Sequence, residues 1–495
     1  MSVATTAGLE LRATARRRRH VRLVGSAGSQ RHRERAHFTR GKRQRGIALV
    51  VAITTIAILS AMLAEMHEAT STAFAVSMAE RDRLQAEYMA DSGLDLTRLL
   101  VAAEPRIRQL VGPMYQMLIG RPPPMLPVWN LADSILSPFC HRPGMARVTL
   151  NEDGSRNTED GDDSEDSGFG FDAFSSAEGL EDLPGTCTIV SVAENSKINI
   201  NDPLYLDGDR ARRSIAMQLF ALIGGYQSPS PYDPLFEGED ADGQYTSRLD
   251  IVSDILDWWD PDTERSSFDP GAGTVTSAGA EDDIYQRLDD PYKVKNAPFD
   301  SLEEMRLVRG VGDDFWATFV EPRPHDPTSR ILTIYGSGAV NPNEAPPAVL
   351  LARVCSFVNN QPLCTNPAEG AKFIQLLSTV RAMIPIPFFT RSADFLTFLE
   401  GRGGPQDLYP MLVGYLGPDS LLLFQPITVP AAKRRDMQGS FVTGARIIDV
   451  QVTGQVGRSS VTLDAILNFH DRWTPPPPNA GRMPGLGIFH HFRID

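Results

Sequence analysis

"DILDWWDPDTE" (Asp254–Glu264) sets Asp257, Asp260, Asp262 and Glu264 within eight residues, and Glu281, Asp282 and Asp283 follow shortly downstream. Clustered hard oxygens on a loop are a donor set that calcium takes. The spacing is not that of an EF-hand, whose glycine and closing glutamate are missing. Two readings therefore stand. One is a calcium site drawn from Asp257, Asp260, Asp262, Glu264, Glu281 and Asp282; the other is an acidic, solvated loop beside buried Trp258 and Trp259.

No catalytic constellation accompanies these carboxylates. Of nine histidines, His20, His32 and His37 lie in a basic N-terminal stretch and His67 follows an apolar run. His490 and His491 sit near the end, and His141, His325 and His470 are isolated. HExxH, GxSxG and P-loop patterns are missing. The chain reads as a non-enzyme, with an anchored periplasmic enzyme as the remote alternative, and calcium is the one cofactor in question. Four cysteines in 495 residues say little about compartment. Cys355 and Cys364 close a short loop and form the expected disulfide; four buried thiols are the other reading.

The elements that position these residues begin with a membrane-sized run. Residues 47–64, "IALVVAITTIAILSAMLA", carry no charge over 18 residues, about 27 Å of helix and just enough for a bilayer core. Arg43 and Arg45 precede it while Glu65 and Glu68 follow. The positive-inside rule then puts the N-terminus in the cytoplasm and the body on the far side. Residues 1–46 hold 13 Lys/Arg against 2 Asp/Glu, a net of +11, leaving 35 against 60, a net of −25, for the rest. Such a body repels nucleic acid and anionic membrane surfaces, whereas the basic head suits the cytoplasmic leaflet. Proline is missing up to Pro105, and residues 66–104 are rich in helix formers. One helix could run from Ile47 to about Glu104, on the order of 85 Å. Ala61 and Ala64 could pass for a signal cleavage site, but a discarded signal needs no such continuation.

Beyond the helix, "RPPPMLPV" (Arg121–Val128) breaks the pattern. "ARVTL" (Ala146–Leu150) and "CTIVSVA" (Cys187–Ala193) read as the two strands of a hairpin, with an acidic, low-complexity loop over residues 151–172 between them, disordered by composition. Residues 201–430 alternate helical segments with Asn, Pro and Gly. Strands return in "GARIIDVQVTGQV" (Gly444–Val456) and "SSVTLDAILNF" (Ser459–Phe469), joined as a hairpin. The expected class is α+β, a small sheet domain with a large all-α domain inserted into it. Its parts are a leader 1–46, an N-terminal helix 47–105 with 47–65 in the membrane, a first strand region 106–200, the insertion 201–430, C-terminal strands 431–472 and a loose, Pro-rich tail 473–495.

A basic leader ending in Gly46, followed by an apolar start to a long helix, resembles the N-terminus of type IV pilins and type II secretion pseudopilins. The resemblance implies cleavage between Gly46 and Ile47 by prepilin peptidase, with N-methylation of Ile47. It also implies a single-pass protein of the bacterial inner membrane with a periplasmic body. A plain single-pass anchor is the bland alternative. Most members carry glutamate at the fifth mature position, where this chain has Val51. A subunit with no predecessor has no N-terminal amine to neutralise, and an unpaired carboxylate in the bilayer is costly. "ENSKININD" (Glu194–Asp202), the block Gly279–Val311 and "AVNPNEAPPAVL" (Ala339–Leu350) are similar to general secretion pathway protein K, the K-type minor pseudopilin family. That family implies a pilin-like fold with SAM-like or helix-hairpin-helix-like subdomains in the insertion. It implies partners in I- and J-type minor pseudopilins and in the major pseudopilin filament, and a role at the filament tip in protein export. Asn199, Asn201, Asn341 and Asn343 read as caps of helix starts. "LVRGVGDDF" (Leu307–Phe315) is also like the phosphate-contacting hairpin of a competence-type DNA receptor. Asp313, Asp314 and the acidic body oppose that reading, so no nucleic acid is expected.

Overall fold

The computed structural model describes residues 45–140, 148–150, 156–158, 185–201, 208–238, 245–281, 285–287, 290–324, 326–384, 386–404, 407–418, 420–469 and 485–495. Residues 1–44 of the leader, nearly all of the acidic loop 151–172, Asp282, His141, His325 and His470 lie outside them. The chain divides into two units, 1–73 and 74–495.

Helix α1 is Arg45–Ile119. In the first unit all its residues from Ile47 to Ala73 are exposed, and the helix contains a window long and apolar enough to cross a membrane by length and composition. The sequence places its end near Pro105, yet it continues through Pro105 and Pro113. An interior proline costs about 3 kcal/mol, and tertiary contacts outweigh it here. Val101 and Tyr115 are buried, buried Glu104 accepts from the Leu126 N–H, and the Tyr115 hydroxyl donates to the Pro387 carbonyl.

In the second unit the long sheet is four antiparallel strands in the order β10-β9-β8-β3. They are β3 (Thr186–Ala193), β8 (Ile447–Val456), β9 (Ser459–Asn468) and β10 (Ile488–Ile494). Alternating residues of β3, β8 and β9, among them Ile189, Val450, Val452, Leu463 and Ala465, meet Ala86, Met89, Ala90 and Leu94 of α1 in one core. Small residues bring helix and sheet together. A Cβ on Gly454 would overlap the Ala86 carbonyl oxygen, and one on Gly93 would lie 2.8 Å from Val452 Cγ1.

Three expectations need correction. The tail is not loose throughout, because Ile488–Ile494 adds a fourth strand beside β9. The strand at β1 (Val148–Leu150) does not pair across the acidic loop with β3. It pairs with β2 (Arg156–Thr158), which lies inside that loop, while β3 pairs with β8. The inserted region is not all helix either, since β5 (Glu264–Asp269) and β6 (Thr274–Ala280) form an antiparallel hairpin within it.

A two-residue strand β7 (Leu332–Thr333) pairs in parallel with β4 (Ile198–Asn199) at the entry to the insertion, and the rest is mainly helical around a second core that includes Leu219, Ile255, Phe319, Val349, Phe373, Phe395 and Phe424. After α2 (Ala132–Cys140), which precedes the insertion, its helices are α3 (Gly208–Leu222), α4 (Arg248–Trp259), α5 (Pro347–Cys355), α6 (Pro362–Thr365), α7 (Pro367–Met383), α8 (Ser392–Leu399), α9 (Leu408–Leu416) and α10 (Ala431–Gly439). Met437 and Phe441 belong to this core, so the helical region runs past residue 430. Cys355 and Cys364 form a disulfide at the ends of α5 and α6, and Cys187 is disulfide-bonded as well.

The paired asparagines are cross-braces rather than helix caps. Asn199 Oδ1 accepts from the Asn201 N–H, and Asn201 in turn accepts from the Phe299 N–H and donates to the Phe299 carbonyl. Asn341 and Asn343 repeat the device, with Asn343 bonded to the backbone of Phe388 and Phe389. A short turn ending in a two-way amide clamp thus occurs twice in the helical region.

Candidate functional site

Helix α4 delivers the first carboxylates. Ser247 and Asp250 close a reciprocal capping box at its N-terminus, which fixes where the helix starts and which face carries Asp254 and Asp257 inward. Asp260 terminates the helix, and the β5–β6 hairpin folds back over that end. Asp257 Oδ1 accepts from the Ser266 N–H of β5 at 2.6 Å. Arg212 of α3 reaches over with one nitrogen, 2.9 Å from Asp260 Oδ2 and 3.0 Å from Asp262 Oδ2, and its other terminal nitrogen holds Asp209 at 2.6 Å. Asp262 Oδ1 accepts from the Glu264 N–H, and its carbonyl accepts from the Asn296 side-chain amide.

Glu281, just past β6, completes the group. Asp260, Asp262 and Glu281 each offer an oxygen within 4.8 Å of the others. Glu281 is only 2% exposed and Asp260 0%. Among the described residues both oxygens of Glu281, Oδ1 of Asp260 and Oδ1 of Asn296 have no hydrogen-bond partner. Buried acceptors are ordinarily satisfied, so four orphaned oxygens at one spot are the pattern a bound cation would complete. Burial, followed by the charges of Asp257, Asp260 and Asp262, pushes the Glu281 carboxyl up to about 8. Burial is also the main cause of the rise of Asp257 to about 7, and it raises Asp260 against the pull of Arg212.

Of the six candidates, then, the fold gathers Asp260, Asp262 and Glu281. Asp257 is buried behind them on a backbone N–H, and Glu264 is exposed at the start of β5. Asn296 was not singled out from the sequence. Its signal is conformational, an asparagine at φ 51° ahead of Ala297-Pro298. Of the neighbouring tryptophans, Trp258 is buried and Trp259 half-buried.

The glycine turn at Leu307–Phe315 joins a 3-10 segment, Leu302–Leu307, to a short helical turn at Asp313–Phe315. Gly310 has φ 80° and packs so closely that a Cβ would lie 2.6 Å from Ile251 Cγ1. It is a packing turn against α4. At the other end of the chain, the Gly46–Ile47 bond lies in the first turn of α1. Val51 is 54% exposed within an apolar run that includes Leu49, Ile53, Ile56 and Leu63. Phe74, Leu84, Tyr88 and Leu99 of α1 are exposed too, facing away from the sheet core.

The architecture combines a long helix with an uncovered apolar run, a small antiparallel sheet packed on residues 86–94 of that helix, and a helical region between strands of the sheet. Residues 239–320 match the family model described as "Type II secretion system (T2SS), protein K". That segment contains α4, the carboxylate cluster and the Gly310 turn, and over it the chain is similar to that family. Among solved structures it is similar to one described as "The Crystal Structure of the GspK-GspI-GspJ complex from enterotoxigenic Escherichia coli Type 2 Secretion System". Identity is 13% and the TM-score 0.34, with 63% of this chain and 80% of that chain covered, too low a similarity to carry weight. No curated protein matches the chain.

Proposed function

We propose that the chain is a minor pseudopilin at the tip of the type II secretion pseudopilus, where it starts filament assembly with I- and J-type minor pseudopilins for protein export across the outer membrane. The observation that carries this reading is the protein K segment at residues 239–320 in one chain with the uncovered apolar run of α1. An apolar helix exposed on all sides needs lipid or partner helices around it. Helices of neighbouring pseudopilins would supply the second, and the inner membrane the first. The N-terminus would then be cytoplasmic and the second unit periplasmic. Val51 leaves no carboxylate for a preceding subunit to use, which suits the first subunit of a filament.

Calcium belongs to the same reading. Asp260, Asp262 and Glu281 would hold it, with the Asn296 carbonyl oxygen beside them. The cation would neutralise the carboxylates and tie the end of α4 to the β5–β6 hairpin. The test of the assembly role is processing: the full chain is co-expressed with prepilin peptidase, and its N-terminus is read by mass spectrometry. A mature N-terminal methyl-Ile47, lost in Gly46→Ala, is expected. An uncleaved wild-type chain overturns the proposal.

A further inference from the structure

A cavity of ≈ 310 Å³ opens between α3, the turn of the β5–β6 hairpin, the segment after α5 and helix α10. That volume is at the lower end of ligand sites, roughly 300–1,000 Å³. Its charge runs against the chain's. Arg210, Arg213 and Lys433 line it, with Asp436 as the one lining carboxylate among the described residues, in a body that is strongly acidic.

Each cation is set differently. Arg210 is bridged to Asp436 at 3.0 Å with both side chains half exposed. Lys433 spends one donor on the Phe357 carbonyl at 2.8 Å, leaving two of its three. Arg213 is exposed and makes no ion pair or hydrogen bond among the described residues. At the inner wall, Ser214 Oγ accepts from Gln218 Nε2 at 3.0 Å and from Arg353 Nη1 at 3.4 Å. With both lone pairs engaged, the hydroxyl can act toward the cavity only as a donor. Arg353 is itself 0% exposed, so a buried positive charge stands behind that hydroxyl. The nearby Asp269 carboxylate is taken up by the Gly271 and Ala272 N–H groups of the hairpin turn. Met217 and Phe357 supply the apolar part of the wall.

We propose that this cavity is a binding site for a small oxyanion carrying more than one negative charge, with a phosphate or dicarboxylate head. Ser214 would donate at the inner wall while Arg213 and Lys433 close on the anion from the mouth. Asp436 acts as the competitor that the ligand displaces from Arg210. The cavity is separate from the carboxylate cluster, so this inference does not depend on the calcium reading or on the assembly role.

The test uses the full chain in detergent without divalent cations. Inorganic phosphate is titrated in one arm and succinate in the other, with chloride adjusted to hold ionic strength, and the melting temperature of the periplasmic unit is followed. A saturable rise with at least one anion is expected, and the arm that saturates at lower concentration identifies the head group. Arg213→Glu, at an exposed position with no partner to lose among the described residues, is expected to abolish the rise. Asp436→Ala is expected to tighten binding about two- to fivefold, the worth of an exposed ion pair; a merely structural role for Asp436 would not move affinity in that direction. The absence of a saturable shift with either anion, or an equal shift in Arg213→Glu, overturns the proposal.

Discussion

Glu281→Gln should change sign with the metal. Without a cation, Asp260, Asp262 and Glu281 hold oxygens within 4.8 Å of one another, and two unit charges at that distance repel by about 3.5 kcal/mol at an effective dielectric constant near 20. Arg212 offsets part of this at Asp260 and Asp262 but makes no ion pair with Glu281. Neutralising Glu281 should therefore stabilise the metal-free protein, by about 1 kcal/mol or more once proton uptake has limited the repulsion. With calcium present the same substitution removes a ligand. Calcium at 100 times its Kd adds about 2.7 kcal/mol to a site that binds it, and the variant should forgo most of that. The assay is the melting temperature of wild type and Glu281→Gln, each in chelator and in excess calcium. Wild type should melt higher with calcium and the variant higher without it. A wild-type melting temperature indifferent to calcium, or a variant less stable in both conditions, would falsify the ligand assignment and leave Glu281 as a buried structural carboxyl.

Gly454→Val should cost about 3 kcal/mol or more, because its Cβ would overlap the Ala86 carbonyl oxygen where α1 crosses β8; accelerated proteolysis of the sheet domain with the helical core still protected would register it. Glu344 supplies a pH signature. Burial pushes its carboxyl up to about 7, against Asn341, Arg381, Trp129 and Asn130, which pull it down. Between the ordinary glutamate range near 4.5 and that value the folded protein holds a proton that the unfolded chain has released, so stability contributed below the window is lost as pH rises through it. Melting temperature plotted against pH should be flatter in Glu344→Gln, and an unchanged profile contradicts the assignment. Replacing both Cys355 and Cys364 by alanine should lower stability by about 2.5 kcal/mol, the loop-closure entropy for a separation of nine residues, as read by denaturant midpoint with and without reductant.

The sequence carried the parts of this fold whose physics is local. Period-2 patterning marks β8 and β9, and charge asymmetry with an uninterrupted apolar run marks the start of α1. The failures share a cause. β10 follows a Pro-rich stretch and is exposed along its length, so no buried face marked it, and its partner β9 supplies the pairing. The β5–β6 hairpin is Ser-, Thr- and Gly-rich, and it exists because α4 and Arg212 hold its base. The long helix continues past Pro105, held by Glu104 bonding to the segment that follows it and Tyr115 bonding to Pro387 far along the chain. Of six nominated carboxylates, proximity in sequence gathered the candidates, but only the hairpin's return decided that Glu281 joins Asp260 and Asp262 while Glu264 does not. The asparagine clamps were placed correctly and given the wrong job, since their partners at Phe299 and Phe389 are remote in sequence.

The proposed function has this chain assemble through α1 and its sheet domain with I- and J-type minor pseudopilins. The direct measurement is co-purification of the processed, tagged full chain with I- and J-type minor pseudopilins of a type II secretion system, quantified by mass spectrometry of the isolated complex. A stoichiometric three-protein complex, weakened when exposed Leu84 and Tyr88 are both replaced by aspartate, is the predicted result. A processed, folded chain that recovers neither partner contradicts the account.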